Sequence, residues 1–187
     1  MPPLRTLMRL ILGTPVPAAP RRRRRSAPDF QRSKVYRWEG RHVLPRDTAA
    51  LSLDECRALV LAAYRWAEAP AAGDHDWTPP LVTDGRGRRH ACGSRAVIKL
   101  PRWARTRPVV LHECAHGLAP DKHGPRFVAV YVALIEQFMG LPRAALEESL
   151  AEAGIAFGKV GRSRDGALLS RAPSPARAAA RQRPAGN

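Results

Sequence analysis

Cysteine is scarce in this chain, with Cys56, Cys92 and Cys114 the only three among 187 residues. They are too few and too scattered for a disulfide framework or a four-cysteine zinc site, and a reducing compartment suits them best. Long apolar runs are missing too. The best candidate for a targeting segment, residues 4–19, has only Leu10-Ile11-Leu12 as its apolar centre, with Arg9 before it and prolines soon after. A signal peptide needs a longer uninterrupted centre, and a membrane helix needs about 20 apolar residues. The expectation is a cytoplasmic protein with no membrane partner. Acidic residues are short as well, 16 Asp and Glu against 32 Lys and Arg, for a formal net charge of +16.

Taken alone, that imbalance points to nucleic acid or an acidic surface. Its distribution argues otherwise. Residues 1–46 hold 12 basic and 2 acidic residues, residues 159–187 hold 7 and 1, and residues 47–158 hold 13 of each. The excess lies outside a near-neutral middle, and the abundance of Arg, Ala and Pro is what a biased base composition produces without selection for binding. A weak, nonspecific nucleic-acid contact through the tails is the most this charge predicts. The length fits one domain with tails. Residues 1–28, with five arginines between proline-rich flanks, are expected to be disordered, as are residues 159–187, leaving 29–158 as the folded domain.

Within that domain, Val35-Tyr36-Arg37-Trp38 suits a first strand. Ser52 with Glu55 three residues on is a capping-box arrangement, and apolar residues at spacings of three and four predict a helix from there to about residue 68. Leu81-Val82-Thr83 reads as a strand and Asp84-Gly85-Arg86-Gly87 as a hairpin turn, with a return strand through His90 to Cys92 and another over residues 94–100. His90 and Cys92 are two apart, as metal ligands in a strand can be, although such pairs more often share a face without binding anything. Pro108 fits the first turn of a helix that runs to residue 118. Ala119-Pro120-Asp121-Lys122 breaks it, and Pro125 opens a second helix with a wide apolar arc, ended by Gly140. A last helix follows to about residue 154, and Ile155-Ala156-Phe157 is apolar enough to dock on the domain.

The chemistry concentrates in His112-Glu113-Cys114-Ala115-His116. On a helix, residues four apart stand one turn above each other, so both imidazoles reach one metal ion. Glu113 falls at the edge of that face, where a carboxylate can take a proton from water instead of binding the metal. A random chain of this composition contains H-E-x-x-H about one time in a hundred, so the context matters. A catalytic zinc (Zn2+) site commonly takes three protein ligands and keeps a fourth position for water. His123, just beyond the break, is one candidate for the third ligand. Glu136 is the rival, but at 100° per residue it falls outside the apolar arc of its helix. The spacing from His116 to His123 is one residue longer than a metzincin requires. Tyr131 and Arg126 are candidates by residue type for stabilising an oxyanion. Cys114 is expected to pack inward.

At these residues the chain resembles the SprT-like zinc metallopeptidases, in which H-E-x-x-H is followed by a third ligand in an H-G-P-x-F stretch, here His123-Gly124-Pro125-Arg126-Phe127. The resemblance implies His112, His116 and His123 as zinc ligands and Glu113 as the general base. The spacer is shorter than in the familiar SprT proteins, and the downstream cysteine-rich zinc ribbon is missing. Gln31-Arg32-Ser33-Lys34-Val35-Tyr36, Leu100-Pro101-Arg102-Trp103-Ala104-Arg105 and the helix after His123 are similar to small metallohydrolases of actinobacteria and their phages, over roughly residues 29–158. Members of that group often carry Leu where Cys114 stands and a further His where Gly117 stands. The group implies a hydrolase with no assigned substrate.

Together these readings predict a small α+β, zincin-like domain with a short antiparallel sheet, whose residue 95–100 strand forms the edge beside the cleft. The expected activity is zinc-dependent hydrolysis of a peptide or protein substrate. The alternatives are a DNA-associated protein whose basic tails carry the domain, and a metal-binding domain without catalysis.

Overall fold

The computed structural model describes residues 29–171, so the expected disorder of 1–28 and 172–187 lies outside the described residues. The order of elements is α1 (Arg32–His42), α2 (Leu53–Glu68), β1 (Leu81–Asp84), β2 (Cys92–Gly93), β3 (Val97–Leu100), α3 (Arg107–Leu118), α4 (Pro125–Met139), α5 (Arg143–Glu152), β4 (Lys159–Arg162) and β5 (Leu168–Arg171). This is a small α+β domain. No helix among the described residues is long and apolar enough to cross a membrane.

Residues 35–38 form no strand; they belong to α1. Val35 and Trp38 are both buried and stand three apart, with Gln31 buried one turn before Val35 and Val43 buried beyond Trp38. That is the period of a helix, and the alternation of residue types within four positions misleads. Gly40 and a start without a side-chain cap make α1 weak by local propensity. Tertiary contacts hold it: Trp38 Nε1 donates to Ser149 Oγ of α5 at 2.8 Å. Gln31 Nε2 donates to the backbone oxygens of His123 at 2.8 Å and Ala156 at 2.9 Å, while its Oε1 accepts from Ala156 N–H at 3.1 Å. Gln31→Ala is expected to leave these buried backbone groups without partners and to destabilise the domain by about 1–3 kcal/mol, read as a lower urea midpoint at constant m-value.

The second helix forms as its sequence requires. Ser52 Oγ accepts from Glu55 N–H and Glu55 Oε2 accepts from Ser52 N–H, a complete capping box, and the helix stops at a left-handed Ala69 before Pro70. Cys56, Val60, Ala63, Tyr64 and Ala67 form its buried face, and that face packs on α3.

The three-stranded sheet is mixed, with order β1-β3-β2. β1 pairs in parallel with β3, Leu81 opposite Val97 through Asp84 opposite Leu100, and β2 pairs antiparallel with β3. The purely antiparallel sheet is therefore corrected, and so is the position of residues 95–100: β3 is central, and the edges are β1 and β2. Asp84–Gly87 does turn, with Gly87 at φ +77° and Arg88 N–H bonded to Gly85 O, but it joins no hairpin. One side of β1 pairs with β3, and Gly85 N–H continues that pairing to Leu100 O at 3.1 Å. Ile98 and Leu100 are fully buried and give β3 the central place.

α3 and α4 pack on each other across the middle of the domain. Phe127, Val128, Tyr131, Leu134 and Ile135 are wholly buried, so the wide apolar arc of α4 is filled on nearly every side. Gly140 ends α4 at φ +67°. After α5, Ile155 is buried and Gly158 N–H bonds Pro125 O at 2.8 Å, which ties this segment to the start of α4. The folded region does not stop at residue 158. β4 and β5 form an antiparallel hairpin, Lys159 opposite Arg171, which packs on α2 and α4. Part of the expected basic tail is thus structured, and its turn carries Asp165-Gly166, with Gly166 at φ +86°.

Candidate metal centre

α3 carries His112 and His116 one turn apart, and their ring centroids lie 4.9 Å from each other. The chain leaves α3 at Ala119, reverses over four residues and brings His123 back to the same face. The reversal is built around Asp121, whose two carboxylate oxygens accept from the N–H groups of Arg126 (2.8 Å) and Phe127 (2.9 Å) at the start of α4. Asp121 O also accepts from Gly124 N–H at 2.8 Å. A side chain at Gly124 has no room, since a Cβ there would stand 2.5 Å from Asp121 Oδ2. The His-Gly-Pro sequence thus positions its histidine by a tight packing of loop on helix start, with Pro125 in the first helical turn.

His123 stands 5.3 Å from His112 and 4.7 Å from His116, centroid to centroid. One ligand nitrogen from each of the three lies within 4.8 Å of the others. The structure therefore brings together all three histidines singled out in the sequence. Glu136 is elsewhere: half-exposed on α4, it accepts from Arg143 Nε at 2.8 Å and Nη2 at 2.5 Å. His90 is exposed and Cys92 half-buried, and neither belongs to the cluster. Cys114 packs inward with no exposed surface.

Two carboxylates hold the rings. Glu39 Oε1 accepts from His112 Nδ1 at 3.2 Å, and Asp29 Oδ2 accepts from His123 Nδ1 at 2.7 Å. With Nδ1 donating in both, Nε2 is the lone-pair nitrogen, the tautomer a metal ligand needs. His123 Nε2 is buried and has no hydrogen-bond partner in the protein. Burial, with like charge from the other two histidines, pushes His116 down to about 3. His123 is lowered by burial against the opposing effect of Asp29. For His112, burial lowers the pKa but the Glu39 carboxylate outweighs it, and the net direction is up. Three imidazoles, two of them braced by carboxylates and one with an orphaned buried nitrogen, fit a borderline metal such as zinc, for which neutral imidazole is the common ligand.

Glu113 is buried beside them, and its Oε2 has no partner in the protein. Burial raises its pKa; the neighbouring His112 and the Gly93 backbone N–H oppose that rise. Gly93 lies in β2, and a Cβ on it would come within 2.1 Å of Glu113 O. Only a glycine lets the strand approach α3 this closely and present its N–H to the carboxylate. β2 is also an outer strand, so the edge of the sheet beside Glu113 has no further strand among the described residues.

Glu39, Asp29 and Tyr36 were not found from the sequence, because all three belong to α1 or its entry and residues 35–38 read as strand. The signal was present for two of them, since Tyr36 and Glu39 stand three apart on one face of a helix, whereas Asp29 precedes the helix and has no periodicity to announce it. Tyr131 departs from its expected role. It is fully buried under the site and donates to Glu39 Oε1 at 2.5 Å, so it braces the carboxylate that braces His112. Arg126 is exposed at the start of α4, where its backbone N–H caps onto Asp121. Partners of this kind typically contribute 10–100-fold to metal affinity. Glu39→Gln is accordingly expected to weaken zinc binding about 10-fold or more in competition with a chromophoric chelator, with the secondary structure unchanged by circular dichroism.

No family model, curated protein or solved structure matches this chain. The site's chemistry has to carry the functional reading.

Proposed function

We propose that the protein is a zinc-dependent hydrolase of zincin-like fold, acting on peptide bonds, with His112, His116 and His123 as the metal ligands and Glu113 as the general base. The observation that carries this reading is the buried, unpartnered carboxylate oxygen of Glu113 beside three converging histidines. A closed structural or storage site has no use for such a group, whereas hydrolysis needs a proton acceptor there. Bound at the histidines, zinc supplies Lewis acidity, polarising a carbonyl and lowering the pKa of water.

The chain's own residues do the rest. Glu39 and Asp29 fix the ring orientations, so the donor nitrogens are set before the metal arrives. Glu113 takes a proton from the attacking water and delivers it to the leaving amine. Burial, the largest influence on Glu113, raises its pKa and so favours its holding a proton between the two transfers. The Gly93 N–H keeps one side of the carboxylate oriented while Oε2 stays free to exchange the proton. An extended peptide can pair with the outer edge of β2, which runs past Glu113, by strand addition. That edge favours a peptide over a compact small-molecule substrate.

The test uses full-length protein. Metal analysis is expected to give one zinc per chain. Cleavage of a fluorescence-quenched peptide library should stop with 1,10-phenanthroline and return on adding zinc. Protein that binds one zinc but cleaves no member of the library would favour a metal-binding domain without catalysis.

A further inference from the structure

We propose that Tyr36 is the residue that stabilises the oxyanion in this reaction, its hydroxyl donating to the substrate carbonyl oxygen, with Arg32 as the positioning residue that holds the phenol. The proposal rests on the hydrolase reading above.

Tyr36 is the aromatic side chain that both touches the histidine cluster and keeps a substantial exposed surface. Its ring stacks on His112, with centroids 5.6 Å apart and planes 14° from parallel, and meets His123 edge-on at 4.9 Å. Yet 43% of the residue is exposed. Phe127 and Tyr131 also contact the histidines, but both are fully buried on the inner side. Tyr131, moreover, has spent its hydroxyl on Glu39. Tyr36 thus contacts two of the three histidines while part of its surface remains open to solvent. It is also near enough to Glu113 for the carboxylate to influence it electrostatically.

Arg32 lies one helical turn earlier on α1, with Cζ 5.3 Å from the centre of the Tyr36 ring. Its positive charge reaches His116 and His123 as well as the phenol. Burial raises the phenol's pKa, and the Arg32 hydrogen bond and charge oppose that rise, so the cation keeps the O–H a better donor than burial alone would leave it. Exposed though it is, Arg32 gains from the helix an i,i+4 placement that a loop would not give it. The same face of α1 carries Glu39, and Asp29 just precedes it, so one element sets both the ligand rings and the donor.

Water oxygen bonds to the carbonyl carbon while one water proton passes to Glu113, and the C=O π pair moves onto oxygen. That oxygen accepts the Tyr36 O–H hydrogen bond, with no proton transferred. On collapse the π bond re-forms, the C–N bond breaks, and the Glu113 proton goes to the departing nitrogen. The donor is worth most where the charge is fully developed, so its loss lowers kcat more than it raises KM.

Tyr36→Phe keeps the ring stacked and removes the hydroxyl. The expected result is a fall in kcat of about 100-fold with KM changed less than about 3-fold and zinc stoichiometry unchanged. Affinity for a phosphinic peptide, in which PO2–CH2 replaces the scissile amide, should fall by a similar factor by calorimetry. Arg32→Met should lower kcat about 10-fold, and the double variant should be no worse than Tyr36→Phe alone, as expected for a residue acting through its neighbour. Unchanged kcat in Tyr36→Phe, or a loss confined to KM, overturns the proposal. If the wild type cleaves no peptide at all, the hydrolase reading fails separately. The phosphinate comparison then still decides whether the Tyr36 hydroxyl binds an anion at the metal, and equal affinities would end the proposal.

Discussion

Replacing Glu113 by Gln is expected to leave one zinc bound per chain and to cut peptide hydrolysis about 1,000-fold, the scale of a general base that acts in both halves of the reaction. Gln has the volume of Glu, so the packing of β2 against α3 at Gly93 survives. Its amide oxygen can still accept from the Gly93 N–H. What disappears is the basic oxygen. In the native protein that oxygen is Oε2, buried and unpartnered, and the cost of keeping it so is hard to explain except by use. In the proposed centre the metal should be indifferent to the change, because His112 and His123 are held by Glu39 and Asp29 and not by Glu113. Zinc content by mass spectrometry and kcat on a cleaved peptide separate the two effects. Hydrolysis at the wild-type rate in Glu113→Gln would mean that the base is another group.

How much of this was legible beforehand follows from which interactions are local. The helix over Leu53–Glu68 is written in a capping box and one apolar face, both read within a few residues. The metal-site helices are likewise announced by Pro108, Pro125 and Gly140, and the three histidines converge as the reversal through Asp121 demands. α1 failed because nothing local commits it: it has no side-chain cap, a glycine inside, and its stability comes from Trp38 on Ser149 and Gln31 on the His123 loop, more than 90 residues away. The parallel pairing of β1 with β3 failed for a related reason. A turn sequence between two strands says that the chain reverses, not which strand it will lie beside. The C-terminal hairpin had its Asp-Gly turn in plain view, but the basic composition around it suggested a tail. These misses compound at the site. Reading residues 35–38 as a strand hid Glu39 and Asp29, the carboxylates bonded to two of the three clustered histidines, and Tyr131, named by residue type alone, faces inward with its hydroxyl on Glu39.

His123→Ala should then lower zinc affinity by about 1,000-fold or more, whereas Glu136→Ala should leave it within about 2-fold. Three ligands share a binding free energy on the order of 10–16 kcal/mol, so losing one of them removes several kcal/mol. The fold should tolerate the change, because the anchor of this loop is backbone. Gln31 donates to the His123 carbonyl oxygen, and Asp121 caps α4, and neither interaction involves the imidazole. The Asp29 carboxylate loses its partner, but it is partly exposed and can turn to water. Glu136 offers the opposite case, a carboxylate already neutralised by the Arg143 guanidinium, so removing it costs a half-exposed ion pair worth about 1 kcal/mol at most. Competition titration of zinc against a chromophoric chelator distinguishes the two variants directly. A large loss in Glu136→Ala with His123→Ala unaffected would require α4 to turn its outer face inward, and would replace the three-histidine centre with one of two histidines and a carboxylate.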